Sequence, residues 1–515
     1  METQKNIKFG QTQLFKVAAF VMVIGVGLRL AAYFFTRSLW VDEASLALNI
    51  LDRSFLSFFQ PLDLNQSAPV GFLFVEKAAT LLFGIGERAL RLFPLLAGIG
   101  VLPMMYLVSK KIGGWAMVLT SLTLAAVAKY LIYYSNEVKQ YSLDVFVTLL
   151  LFYLAIRVLD GEGDTRRRSL RAYIAGGILA VWFSNGALFV FAGLSSALAV
   201  VFIARRELWE LRFLLLGGLF WLVSVAAVYF AFLRFSQQNN YLFQFWEEGF
   251  APFPPWSYKS WYFTLLKNIA IDPLGLKANW LYYGLLAVGA IRLSIKRWET
   301  TILLFAPMAV TLAASMLRIY PFQERLILFL VPLFYLLMGA GLEGIYQLVA
   351  KRNKFIGLAV LAGVGFLFLS TPVMEAIKEA QSPANFEDMR PLVMTLRKEA
   401  QPEDTIYLYY SAVPAYTYYE RVLGPIDGKV IFGGNHRNNV GLYGDEIQMR
   451  QGTERFWFVF THPSKDEDVL YAKALCKTGS LTRKYVDQYD LRLYLFDLSR
   501  DGNSDCEIIG AGNTP

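Results

Sequence analysis

Two adjacent carboxylates, Asp42 and Glu43, stand in Ser38-Leu39-Trp40-Val41-Asp42-Glu43-Ala44-Ser45, just after the first long apolar run at 13–36. A carboxylate at a membrane edge is a functional candidate, because an acid placed there without a task is costly. As a bland alternative, the pair simply solvates a loop. Two further charged sets occur. One is Tyr134-Ser135-Asn136-Glu137-Val138-Lys139-Gln140-Tyr141, and the other is Arg318-Ile319-Tyr320-Pro321-Phe322-Gln323-Glu324-Arg325. Arginine suits a phosphate because its planar fork donates two parallel hydrogen bonds. As an alternative, Glu137 and Glu324 pair with the arginines and staple the loops.

Together these types suggest transfer of a phosphate-linked sugar. A carboxylate near the attacking hydroxyl or amine serves as base or orienter, and cations hold the departing phosphate. Aspartate has a reference pKa of about 3.9, so Asp42 begins as a weak base that desolvation beside Trp40 would strengthen. General-base catalysis contributes about 10²–10⁴-fold in rate. One carboxylate suffices for a single, inverting displacement, because phosphate departs without needing a proton.

The elements that must position these residues are membrane helices. The 515-residue chain is 56% hydrophobic and only 17% charged, with a mean hydropathy of +0.41. This is the composition of a polytopic membrane protein. A helix needs about 20 mostly apolar residues to cross the bilayer. Candidate spans fall near 13–36, 88–108, 114–133, 141–158, 172–184, 187–204, 212–233, 279–294, 301–317, 326–348 and 355–372, about eleven in all. Every second loop is basic: Lys5 and Lys8, then Lys110 and Lys111, then Arg166, Arg167, Arg168 and Arg171, then Arg205, Arg206 and Arg212, then Lys296 and Arg297, then Lys351, Arg352 and Lys354. By the positive-inside rule these loops and the N-terminus are expected in the cytoplasm. The three charged sets and everything after 372 then face outward, with the protein in the inner or plasma membrane. The first span is expected to be a retained anchor, since no small-residue cleavage site clearly follows it.

The first outer loop, 37–87, carries amphipathic stretches over 44–59 and 70–83, joined by Pro61-Leu62-Asp63-Leu64-Asn65-Gln66-Ser67-Ala68-Pro69. The outer loop 234–278 is rich in aromatic residues and proline, suiting an interfacial belt or a cover over a sugar or lipid. After Pro372 the composition becomes polar. An amphipathic helix is expected over 385–400, with Met389, Leu392, Val393 and Leu396 on one face. Strands are expected at 405–410, 455–460 and 491–496. This predicts two domains, a membrane domain over 1–372 and a small extracytoplasmic α/β domain over 373–515. Only two cysteines occur, Cys476 and Cys506; they form one disulfide or remain two free thiols. The two histidines, His436 and His462, exclude a histidine-rich metal site and read as ordinary loop residues.

Trp40-Val41-Asp42-Glu43 after the first span resembles the aspartate-centred motif of the GT-C glycosyltransferases, in the branch related to protein O-mannosyltransferases and aminoarabinose transferases. Further segments agree in order and sidedness: Ala68-Pro69-Val70-Gly71-Phe72-Leu73, Arg88-Ala89-Leu90-Arg91-Leu92-Phe93-Pro94, Glu137-Val138-Lys139-Gln140-Tyr141-Ser142-Leu143 and Tyr320-Pro321-Phe322-Gln323-Glu324-Arg325. The resemblance covers about residues 10–370. It implies a helical GT-C fold, a polyprenyl-phosphate sugar donor and inverting transfer on the outer face to a glycan, lipid or protein acceptor. Asp42 would be the catalytic carboxylate and Glu43 its neighbour. Arg325, with Arg318, Lys139 and Tyr320, would meet the donor phosphate or lipid. Glu137 and Asn65 would form a secondary acidic and acceptor side.

The chain departs from relatives that place His, Lys or Glu beside the first-loop proline, having Asn65-Gln66-Ser67-Ala68-Pro69 instead. No cofactor or metal is expected, although Asp42, Glu43 and Glu137 are ligand types for a divalent cation. The expected partners are the lipid-linked donor, its acceptor and membrane lipids, not nucleic acid. The competing readings are a transporter or flippase of lipid-linked saccharide, which should show inverted repeats or interrupted helices, and a membrane-anchored scaffold whose outer domain binds glycans.

Overall fold

The computed structural model describes residues 2–499, apart from 278, 437–438, 440, 463–466 and 489–490. The chain divides into two compact units. One holds Met1–Thr36, Arg53–Gly84 and Arg88–Pro383, and the other holds Arg37–Asp52, Ile85–Glu87 and Ala384–Pro515. A cut at 372 would leave Asp42 with the membrane helices; the observed units place Arg37–Asp52 with the C-terminal residues.

The membrane unit begins with α1 (Glu2–Phe35). The segment α2 (Val41–Asp52), expected to be amphipathic from Ala44 but buried on all sides from Glu43 to Ile50, belongs to the other unit. There follow α3 (Val70–Phe83), α4 (Glu87–Ile112), α5 (Trp115–Val127), α6 (Lys129–Tyr134), α7 (Tyr141–Asp160), α8 (Gly163–Ala180), α9 (Gly186–Arg205) and α10 (Leu208–Val228). After these come the short α11 (Arg234–Gln237) and α12 (Asn240–Phe245), then α13 (Lys259–Ile271), α14 (Trp280–Lys296), α15 (Trp298–Met316), α16 (Val331–Ala350) and α17 (Lys354–Gln381).

Among the described residues, eight helices are long and apolar enough to cross a membrane. The other expected spans correspond to α5, α8 and α14, of which α5 is an apolar helix of 13 residues. The protein is a multi-pass membrane protein.

Bilayer helices associate through close packing and satisfied polar groups rather than through exclusion of water. At the contact of α14 with α16, a Cβ on Gly289 would lie 1.9 Å from the Leu337 carbonyl, and one on Gly341 would lie 2.1 Å from the Leu285 carbonyl. Only glycine permits that approach. Glu343 on α16 ties three helices together: it accepts from the Gly114 and Met117 amides at 2.8 and 3.1 Å and pairs with Arg292 at 2.7 Å. Fully buried Arg29 on α1 donates to the Ala125 and Ala126 carbonyls at 2.9 and 3.2 Å, satisfying the end of α5 where the chain breaks before α6.

In the second unit, α18 (Met389–Glu399), α19 (Val413–Leu423), α20 (Gly441–Gln448) and α21 (Glu467–Thr478) accompany five strands. These are β1 (Thr405–Leu408), β2 (Lys429–Phe432), β3 (Phe456–Thr461), β4 (Ser480–Gln488) and β5 (Leu491–Asp497). The sheet order is β2-β1-β3-β5-β4. β1 runs parallel to β2 and β3, whereas β5 runs antiparallel to β3 and β4. Central β3 is buried along its whole length, as its unbroken apolar run requires. An aromatic core of Tyr407, Tyr409, Phe458, Phe460, Tyr471 and Phe496 closes the sheet. On α18, Met389, Leu392, Val393 and Leu396 are buried, the face expected from their spacing. Cys476 on α21 is disulfide-bonded; Cys506 lies outside the described residues.

Candidate functional site

Asp42 and Glu43 occupy the first turn of α2. Acids are favoured there, because the first amides of a helix lack intrahelical partners and carry partial positive charge. The sequence order separates their environments. Asp42 is half-buried, whereas Glu43 is fully buried and pairs with Arg37 at 3.7 Å.

The segment leading into α2 is fixed within its own unit. Arg37 donates to the Ala384 carbonyl at 3.0 Å, and Ser38 bonds through its hydroxyl to Asp388. The Leu39 amide donates to the Tyr419 hydroxyl at 2.7 Å, and that hydroxyl donates to Glu87 at 2.9 Å. The Val41 amide, one residue before Asp42, donates to Glu387 Oε2 at 2.9 Å. His462 bonds to the same oxygen at 3.2 Å, and its ring meets Trp40 edge-on at 6.3 Å. Burial pushes the Glu387 carboxyl up, opposed by the hydrogen bond and charge of His462 and by the Val41 amide.

The other candidates lie in the membrane unit. Arg325 is the second residue of the 3₁₀ run Glu324–Leu330, with its guanidinium 5.2 Å from the Trp246 ring centre. Arg318, in the left-handed region at φ 57°, pairs with Glu247 at 3.2 Å and lies over Phe243 and Phe250 at 4.9 and 5.4 Å. Its observed partner is therefore Glu247 of the 234–278 loop. The Tyr320 hydroxyl donates to the Leu326 carbonyl at 2.9 Å. Glu137 is fully buried, and Lys139, 5% exposed, donates to Gln66 at 2.6 Å. Asn65, at φ 54°, accepts from the Asn239 side chain at 3.1 Å.

These bonds bring the membrane-unit candidates onto linked loops. Lys139–Gln66 joins the second charged set to the proline-bounded connection, and Asn65–Asn239 joins that connection to the 234–278 loop. The Phe322 amide donates to the Gly249 carbonyl at 2.8 Å, linking the third charged set to the same loop.

Beside this last junction lies a cavity of about 710 Å³ whose lining includes Glu247, Trp261, Asn268, Asp272, Phe322 and Glu324. Burial pushes Asp272 up to about 6; the Glu324 charge adds to this, while the Tyr130 hydrogen bond and the Arg325 and Lys129 charges oppose it. Among the described residues no three of His, Cys, Asp and Glu are gathered as a metal-ligand group.

Sequence reasoning missed Glu387, Tyr419 and His462. They lie more than 340 positions from the turn they touch, and no local spacing signals such a contact.

These helices and the sheet unit form a GT-C-like fold. Three solved structures are similar over nearly the whole of this chain. ArnT from Cupriavidus metallidurans in the apo state has a TM-score of 0.54 at 14% identity, covering 95% of this chain and 98% of that one. The same ArnT bound to undecaprenyl phosphate has a TM-score of 0.50 at 13% identity, with 94% and 97% covered. AglB, an archaeal oligosaccharyltransferase from Archaeoglobus fulgidus in complex with an inhibitory peptide and a dolichol-phosphate, has a TM-score of 0.54 at 9% identity, with 96% and 75% covered. No family model and no curated protein matches the sequence.

Proposed function

We propose that this protein is an integral-membrane glycosyltransferase that moves a sugar from a polyprenyl-phosphate donor to an acceptor on the outer face of the membrane. The observation that carries this reading is the end-to-end likeness to ArnT, one of whose structures holds undecaprenyl phosphate. Asp42 takes the proton of the acceptor hydroxyl or amine as that group attacks the anomeric carbon. The bond from that carbon to the phosphate oxygen breaks, configuration inverts, and the polyprenyl phosphate leaves with the bonding electron pair. Arg325 holds the departing phosphate. Its guanidinium lies over the Trp246 ring, 5.2 Å from the ring centre, and its planar fork suits phosphate. Buried Glu43 supports the turn through Arg37, and Lys139, Tyr320, Glu137 and Asn65 shape the membrane-unit loops. In this reading the N-terminus is cytoplasmic and the α/β unit extracytoplasmic.

The test uses purified full-length protein, a synthetic polyprenyl-phosphate sugar of α or β configuration, and membrane extract as the source of acceptor. Donor should be consumed, with a product of opposite anomeric configuration; retained configuration contradicts the single displacement. No consumption across several donors, with movement of the lipid-linked sugar between leaflets of liposomes, would favour the flippase reading instead.

A further inference from the structure

Glu387 is a buried acid that the reaction above does not use. Its side chain is 1% exposed, and Oε2 serves two donors at once, the Val41 amide at 2.9 Å and His462 at 3.2 Å. Among the described residues Oε1 is buried without a hydrogen-bond partner. An acid buried in this way costs stability, and the helix start could be capped by a neutral side chain. What the carboxylate reaches is the amide directly preceding Asp42. Behind it, His462 sits in the left-handed region at φ 48° and sets its ring against Trp40. Trp40 also packs on Phe386 at 5.5 Å, so residues 386–387 grip both the ring and the backbone of the turn.

We propose that Glu387, backed by His462, is a positioning residue for Asp42: the pair fixes the start of α2 and thereby the direction in which the Asp42 carboxylate points. The proposal rests on the reading of Asp42 as the base. The other charged groups around this turn are Arg37, Glu43, Asp388, Arg390 and Glu87. They hold its flanks: Arg37 pairs with Glu43, Asp388 holds Ser38, and Arg390 pairs with Glu87. Glu387 accepts from the backbone amide next to Asp42. The other histidine–glutamate pair of this unit, His436 with Glu446 at 2.9 Å, is bonded to Tyr407 instead and offers an internal control.

The experiment measures kcat and donor KM for full-length protein as wild type, Glu387→Ala, Glu387→Gln, His462→Phe and His436→Ala, each also combined with Asp42→Asn, with thermal unfolding of every variant. A misplacement of about 1 Å costs on the order of 10²-fold. Glu387→Ala should therefore lower kcat by about 10–100-fold with donor KM unchanged. Glu387→Gln, which keeps an oxygen for the Val41 amide, should recover most of that loss. His462→Phe should fall between them, and His436→Ala should match wild type. In the Asp42→Asn background Glu387→Ala should cost nothing further, because both act on one step.

If Asp42→Asn is inactive while folded Glu387→Ala keeps wild-type kcat, the positioning claim is overturned and the base reading stands. If Asp42→Asn is itself active, the base reading fails and takes this claim with it. Should Glu387→Ala not fold, His462→Phe decides: wild-type kcat there overturns the proposal.

Discussion

The acid-bearing turn and the arginine-bearing loop set their charges in different surroundings. In the α/β unit the start of α2 is held by directed hydrogen bonds, from the Leu39 amide to Tyr419 at 2.7 Å and from the Val41 amide to Glu387 at 2.9 Å. In the membrane unit Arg325 lies over Trp246, and Arg318 lies over Phe243 and Phe250 beside its pair with Glu247. Directed bonds fix orientation, as a group that must meet one proton along one line requires. An aromatic face attracts a cation without a single bond direction, which in the proposed reaction suits a headgroup that arrives and departs on a mobile lipid.

This contrast can be broken from either side. Arg325→Ala should lower kcat/KM for the donor by about 10²-fold, the usual cost of losing one donor to developing charge. Arg325→Lys should recover only part of it, because the fork is lost though the charge remains; steady-state kinetics over a donor series decides. Glu43→Ala should act on stability rather than on rate. It leaves Arg37 buried without this partner, and breaking a buried pair costs about 3–5 kcal/mol. Denaturant unfolding should show that loss, while turnover per folded molecule falls far less than in Asp42→Asn.

Asp272→Asn should stabilise the protein. The folded carboxyl titrates at about 6, above the roughly 3.9 of an unfolded aspartate, so between those values the folded state binds more protons. Stability is therefore lost as pH rises through this window, by on the order of 1–3 kcal/mol above it. The Asn variant should gain at pH 7.5 and match wild type near pH 4, as unfolding curves at the two pH values will show. Arg318→Ala should be the mildest change. Its pair with Glu247 is half-exposed on both sides, and such pairs contribute little. A donor kcat/KM within about threefold of wild type would confirm that Arg318 staples the loop, whereas a loss like that of Arg325 would make it a second phosphate ligand.

The membrane helices were legible in the sequence because apolar length and alternating basic loops are one-dimensional signals. The expected span at 141–158, for example, became Tyr141–Asp160. β1, β3 and β5 were legible as apolar runs. β2 was not, being four residues long with exposed ends, and β4 was hidden by its Arg483, Lys484 and Asp487 and by two register shifts. Such short, charged and irregular strands are how a sheet protects its edges.

At the candidate site, the position of Asp42 just after the first apolar helix was legible. The opposite burial of Glu43 was not, since adjacent helix positions differ by about 100° in direction and only tertiary packing decides which one faces inward. His462 looked like a loop histidine because its partners, Glu387 and Trp40, are distant in the chain.

The most direct test of Asp42 as the base compares wild type, Asp42→Asn and Asp42→Glu in donor consumption by purified protein, with and without EDTA, after matching their unfolding midpoints. Asp42→Asn should lose about 10²–10⁴-fold in kcat, and Asp42→Glu should retain measurable turnover. Full activity in a folded Asp42→Asn variant would contradict the account.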